Sequence, residues 1–214
     1  MSYLARGLGA KVKYANIDRD SNSRDVKQVL DLMIKAGVVL KAVHSQGDGI
    51  PLNAQIDLKV FKLYCLDLGL YNRICRLDYL SDRDLREDRF VNEGGLAEQF
   101  IAQQFAFSET PLLSPSLNYW LRDGSAGNAE VDFLIQVGRN VVPVEVKSGK
   151  SGSLKSLLQF VRANNVELGC RFDLNMPSSQ NVSHGVGGEA ISFRLVSLPL
   201  YLCNQAQRLL RRFY

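Results

Sequence analysis

The chain is poor in the residues that build soft-metal centres: among 214 residues it has two histidines, His44 and His184, and four cysteines, Cys65, Cys75, Cys170 and Cys203. The cysteines are far apart and never form Cys-x-x-Cys, so local sequence assembles neither a zinc ligand set nor a dithiol redox pair. They read as reduced, buried thiols among apolar neighbours. A hard, oxygen-bound cation is the metal this composition can hold. No run of about 18 apolar residues occurs, and the opening Met1-Ser2-Tyr3-Leu4-Ala5-Arg6 lacks the apolar stretch of a signal peptide. The expectation is a cytoplasmic protein with no membrane partner. Excess charge of one sign is scarce too: 26 Lys plus Arg against 22 Asp plus Glu leave a net +4, too little to mark a nucleic-acid binder without a local cluster. An apolar share of 46% excludes a disordered chain, and a chain of this length buries roughly 70% of its unfolded surface.

What is present reads in two halves. Tyr3, Leu4 and Leu8 look like the end of a helix broken by Gly7 and Gly9, with the expectation that a partner segment precedes it. Asn22 can cap a helix whose Val26, Val29, Leu30, Met33 and Ile34 follow the i, i+3, i+4 stripe, with Gly37 as its stop. Val38 to His44 reads as a strand, Gln46 to Gly49 as a turn, and Lys59 to Cys65 as a second apolar run. Helix, strand and wing-type turn predict a winged-helix-like domain over residues 1–78. The mixed-charge stretch Asp78 to Arg89 marks the boundary, and residues 79–214 form the second domain.

In that second half a helix follows Asn92, with Leu96, Ala97, Phe100, Ile101 and Phe105 on its apolar stripe and Glu98 and Gln99 beside it. After a Pro111 to Pro115 loop come the aromatic strand Leu117 to Arg122, a turn at Ser125 to Asn128, and strands Glu130 to Gln136 and Val141 to Lys147. A helix capped by Ser153 and a strand Val166 to Phe172 follow. Ser178 to Glu189, polar and Gly-rich, reads as a surface loop before the apolar run Ile191 to Leu202 and a basic tail of Arg208, Arg211 and Arg212. The fold class is α+β.

The hairpin centred on Gly138-Arg139 carries the chemistry. A two-residue loop with Gly first makes paired residues sum to 277, which sets Asp132 opposite Glu145 and Glu130 opposite Lys147. Period-2 alternation then predicts all four on one face, with Val131, Phe133, Ile135, Val142, Val144 and Val146 on the other. Directly opposed carboxylates repel. A divalent cation between them reverses that sign, and Mg²⁺ (or Mn²⁺) takes few protein carboxylates while keeping water and phosphate ligands. Lys147 would orient a water or neutralise a scissile phosphate, and Glu98 would complete the shell. The bland reading is a solvated hairpin face balanced by cross-strand ion pairs. Against it stand the flanking apolar stretches and a basic segment, Lys147, Lys150, Lys155 and Arg162, immediately after.

Glu98 on a helix, then Glu130-Val131-Asp132-Phe133-Leu134-Ile135, then Pro143-Val144-Glu145-Val146-Lys147-Ser148-Gly149 resembles the PD-(D/E)XK nuclease superfamily, with its restriction endonuclease-like fold of a central mixed sheet flanked by helices. More narrowly it resembles the uncharacterised C-terminal region that follows the P-loop module in bacterial and archaeal AAA-type ATPases. Tyr14-Ala15-Asn16-Ile17, Ser23-Arg24-Asp25-Val26-Lys27, Lys35-Ala36-Gly37-Val38-Val39 and Phe61-Lys62-Leu63-Tyr64 resemble the winged-helix linker of that family. The resemblance implies metal binding by Asp132 and Glu145, an auxiliary acidic role for Glu98, and a catalytic or phosphate-contacting role for Lys147. Val131 stands where the superfamily motif has proline.

The expected function is a Mg²⁺-dependent nuclease acting on DNA, with an ATPase module in cis or in trans as a further partner. The rival is a non-cleaving nucleic-acid- or protein-binding module that keeps the fold. Arg24 and Lys27, with Lys35 and Lys41, are the basic residues of the first half that could reach phosphates, as Lys150 and Lys155 are of the second. Gly149-Lys150-Ser151 is no Walker A motif, because position 144 is Val where the motif needs Gly. Tyr119 and Trp120 are expected in the core, and Gln159 facing the cleft.

Overall fold

Asn22, with extended backbone, accepts a hydrogen bond from Arg24 N–H at 2.9 Å and so caps the helix Ser23–Lys35. The helix buries Leu30 and stops where Gly37 takes φ +71, with Gly37 and Val38 N–H returning to the Ile34 and Met33 carbonyls. This computed structural model describes residues 9–12, 14–18, 21–76, 93–108, 115–122, 128–186 and 189–214. The helix expected at Tyr3 to Leu8, the charged stretch Asp78 to Arg89, most of the Pro111 to Pro115 loop and of the Ser125 to Asn128 turn lie outside the described residues.

The chain is an α+β protein whose described residues form one mixed sheet of nine strands: β1 (Lys11–Val12), β2 (Val39–Ser45), β3 (Ile56–Cys65), β4 (Leu117–Arg122), β5 (Ala129–Val137), β6 (Asn140–Val146), β7 (Leu168–Asp173), β8 (Ser178–Val186) and β9 (Glu189–Pro199), in the order β1-β3-β2-β4-β5-β6-β7-β9-β8. It divides into two compact units, residues 1–42 with 59–116 and residues 43–58 with 117–214. Strands β2 and β3 each contribute residues to both units. No helix among the described residues is long and apolar enough to cross a membrane.

In the first unit Val12, Leu30, Val39, Phe61, Leu63, Cys65 and Tyr71 form the core. The helix Glu93–Ala106 is tied to the end of β3 by a buried amide: Gln99 donates to the Cys65 carbonyl and accepts from the Cys65 N–H, both at 2.8 Å. Gln103 accepts from Leu68 N–H at 2.9 Å in the same manner. Two neutral side chains thus fix the helix while satisfying backbone groups at the end of β3 and at the start of the helix Leu68–Ile74.

In the second unit Leu52, Trp120, Ala129, Val131, Leu134, Val141 and Phe160 make one core cluster, and Leu157, Val161, Phe193 and Leu195 another. Trp120 meets Phe160 edge-on, with ring centroids 5.3 Å apart. Both Tyr119 and Trp120 are buried as expected. Segment 43–58 is an integral part of this unit: Ser45 Oγ donates to the Leu52 carbonyl at 2.9 Å, Asn118 Nδ2 donates to Asn53 Oδ1 at 3.1 Å, and His44 Nδ1 accepts from Leu121 N–H at 3.3 Å. Gly47, at φ +73, lies so close to Phe160 that a Cβ there would sit 2.7 Å from the ring. Strands β6 and β7 are parallel, joined by the crossover helix Lys155–Asn164, and β7 and β9 are parallel as well.

Three expectations are corrected. Over its described residues Ser178 to Glu189 is not a surface loop: Ser178–Val186 is β8 and Glu189 begins β9, because pairing with an apolar neighbour overrides a local composition that favours turns. Ser153 does not occupy the N-cap, which is Leu154; the Ser153 hydroxyl accepts from Lys155 N–H at 3.2 Å from one position further out. Strand β3 starts at Ile56, ahead of the expected Lys59.

Candidate metal and phosphate site

The expected register is found: Phe133↔Val144, Leu134↔Pro143, Ile135↔Val142, Gln136↔Val141 and Val137↔Asn140 all sum to 277, and Gly138 takes φ +64 in the turn. Beyond Phe133 the hairpin changes. The pairing of β4 with β5 shifts between Asn118↔Leu134 and Trp120↔Val131, so β5 holds one extra residue over Asp132-Phe133. Such a bulge re-aims side chains. It explains why Val131 and Leu134, three apart, pack in one cluster with Val141 and Phe160, which strict alternation forbids. It also overturns the expectation of one acidic face, since Glu130, between Ala129 and Val131 of that cluster, falls on the opposite face from them. The outward face is not a solvated one either: Leu134, Val141, Pro143 and Glu145 are all buried there.

Asp132 sits in the bulge, and its carboxylate accepts from the Val146 N–H at 2.7 Å. The first acid is thereby drawn to the residue that follows Glu145. Glu145 is 6% exposed, on the face covered by the crossover helix, and its Oε1 accepts from Lys147 Nζ at 2.5 Å. Lys147 follows the end of β6, where its N–H bonds the Phe172 carbonyl at 2.8 Å. Asp132, Glu145 and Lys147 thus meet at the carboxyl ends of parallel β6 and β7, the place where such sheets open a crevice. Gly152 closes over the lysine, for a Cβ there would lie 2.5 Å from Lys147 Cδ.

Sequence reading missed the neighbours of this group. In the parallel register Glu145 stands beside Arg171, and Arg171 beside Ser197. Arg171 Nε approaches Asp173 Oδ2 at 2.8 Å without hydrogen-bond alignment, Asp173 is 1% exposed, and Asp173 Oδ1 accepts from Asn175 N–H at 2.8 Å. The turn after β7 is held to the loop after β6, with Asn175 Nδ2 donating to the Lys150 carbonyl at 2.8 Å. One signal was available, since Arg171 and Asp173 alternate with Cys170 and Phe172 at strand spacing.

Glu98 lies on the helix Glu93–Ala106 in the first unit, where its Oε1 accepts from Lys62 Nζ at 2.8 Å and from the Tyr64 hydroxyl. Lys62 is wholly buried. Gly9, at φ +69, is packed against the same carboxylate, within 2.8 Å of where its Cβ would be. Among the described residues no three His, Cys, Asp or Glu side chains are grouped so as to hold a metal ion. What the second unit offers is the pair Asp132 and Glu145. Two carboxylates suit an ion that draws its other ligands from water and phosphate.

The basic candidates are spread out. Arg24 and Lys27 are exposed on the helix Ser23–Lys35, with Lys27 bonded to Asp31 at 2.9 Å one turn on. Lys41 Nζ lies over the Phe61 ring at 4.3 Å. Lys150 and Lys155 are exposed around the loop that leaves Lys147. Gln159 Oε1 accepts from Arg122 and braces β4.

No curated protein and no solved structure matches the chain. Residues 1–81 match the family model of a domain of unknown function, DUF8612, and residues 93–183 match that of another domain of unknown function, DUF4143, so the residues of the candidate site lie within the second of these matches.

Proposed function

We propose that the second unit is a restriction endonuclease-like domain that hydrolyses phosphodiester bonds in DNA with Mg²⁺ or Mn²⁺, that the first is a winged-helix-like domain, and that the chain acts in the cytoplasm beside an AAA-type ATPase module in cis or in trans. The observation that carries the reading is the convergence of Asp132, bound to the Val146 amide, with Glu145 and Lys147 at the end of β6. A cation held by the two carboxylates would supply a water of lowered pKa and a positive centre for the pentavalent phosphate. The chain's own residues do the rest. The Val146 amide fixes the Asp132 carboxylate, burial on the helix face fixes Glu145, and Gly152 presses the Lys147 stem toward it. When the Lys147 ammonium leaves Glu145 it can face a phosphate oxygen, and Lys150 and Lys155 receive the flanking backbone.

A second reading, a DNA- or protein-binding module that does not cleave, is favoured by two observations: Glu145 is already neutralised by Lys147, and Glu98 by Lys62. Incubation of several DNA forms with Mg²⁺ or Mn²⁺ separates the two readings. Cleavage that disappears in Asp132→Ala and falls in Lys147→Ala supports hydrolysis; no cleavage, or cleavage that survives both substitutions, ends it.

A further inference from the structure

Strand β8 ends the sheet, and among the described residues nothing blunts it. Its nine residues pair with β9 in an unbroken register from Ser178↔Ser197 to Val186↔Glu189, so no bulge turns the edge aside. The segment Ser178-Ser179-Gln180-Asn181-Val182-Ser183-His184-Gly185-Val186 holds no proline, lysine, arginine or acid. Ser178 to Asn181 and Ser183 to Gly185 are exposed. Folded proteins protect sheet edges with short strands, proline, lysine, bulges or a covering element. The other end of the sheet does so, being the two-residue β1 with Lys11. A row of backbone donors and acceptors about 30 Å long with none of these devices is an edge made to be paired.

We propose that β8 is a homodimer seam, in which β8 of a second copy adds antiparallel across a two-fold axis at Val182. A strand without fixed charge can meet itself without like-charge repulsion. The nearest cation on β9, Arg194, reaches Asn181 Oδ1 at 3.3 Å. Two such arginines, three strand spacings apart, would stand about 14 Å from each other, beyond the Debye length of about 8 Å at physiological salt. Pairing about Val182 sets Gln180 against the partner's His184 and Asn181 against the partner's Ser183, each an amide opposite a group that both gives and accepts hydrogen bonds. Val182, partly buried against the Leu157, Val161, Phe193 and Leu195 cluster, meets its own counterpart. A foreign peptide added to an edge is selected by pockets for its alternate side chains, whereas the exposed Ser, Gln and Asn of β8 need only an equally polar strand. The seam is independent of the chemistry proposed for Asp132 and Glu145.

Sedimentation velocity of the full chain over about 1 to about 300 µM tests it, with Asn181→Lys/Ser183→Lys as the edge variant and circular dichroism confirming its fold. A dimer that grows with concentration and weakens at least tenfold in the double variant is expected. Val182→Cys should oxidise to a covalent dimer, since symmetric Cβ atoms of a directly opposed pair approach to about 4.5 Å, within a disulfide's span, while Ser178→Cys, far from its own counterpart, should not. A wild type monomeric throughout overturns the seam. A dimer indifferent to the two lysines overturns it equally.

Discussion

Glu98→Ala isolates what this acid does. The Lys62 side chain is 0% exposed and the Glu98 side chain 15% exposed, and they meet at 2.8 Å with the Tyr64 hydroxyl bonded to the same oxygen. Taking away the carboxylate removes the counter-charge of a buried ammonium, and breaking a buried pair in this way costs about 3–5 kcal/mol. Each kcal/mol moves the melting temperature of a chain this size by roughly 2–4 °C, so the variant should melt at least about 6 °C lower. Lys62→Met/Glu98→Leu replaces both charges by apolar groups and should recover much of the loss, giving a coupling of more than about 2 kcal/mol in a double-mutant cycle. Thermal and urea unfolding of the four proteins measure it. A Glu98→Ala variant melting within about 2 °C of wild type, or a double variant as unstable as the two singles summed, would refute the claim that this acid serves the first unit's core.

The other expectations are smaller. Gly47→Ala must combine φ +73 with a Cβ 2.7 Å from the Phe160 ring, so it should cost about 2 kcal/mol or more in urea unfolding. Gly152→Ala, whose Cβ would meet Lys147 Cδ at 2.5 Å, should leave the melting temperature within a few degrees yet lower any metal-dependent cleavage about tenfold. Asn22→Ala removes the cap bonded to Arg24 N–H and should cost about 1 kcal/mol. Burial, first of all, pushes the Cys65 and Cys203 thiols from 9.0 up to about 11. The unfolded chain therefore loses these protons first as pH rises. Stability should hold below pH 9 and decline from there towards pH 11, more gently in Cys203→Ala, as melting curves at pH 8 and above pH 10 would show.

The hairpin register was legible because one glycine with positive φ and alternating valines leave few ways to pair the strands. The helix behind Asn22 was legible for the same kind of local reason. The bulge was not: Val131-Asp132-Phe133-Leu134 carries no glycine or proline to announce it, and it shows only in the pairing with β4. Composition hid β8, whose serines, asparagine and glycine read as turn residues until an apolar strand is placed alongside. Glu98 shows the limit of charge reading. Its partner Lys62 is 36 positions away, and nothing near either residue reports the other.

The loan of residues 43–58 to the second unit bears on how the protein can be dissected. A fragment cut to the borders of the second family match, starting at residue 93, would carry Trp120 and Phe160 without the Leu52 that caps them, β4 without the Asn53 and His44 that brace it, and the Phe160 ring without the glycine moulded to it. Such a piece exposes an aromatic seam and invites aggregation, whereas one that keeps residues 43–58 takes its own lining along.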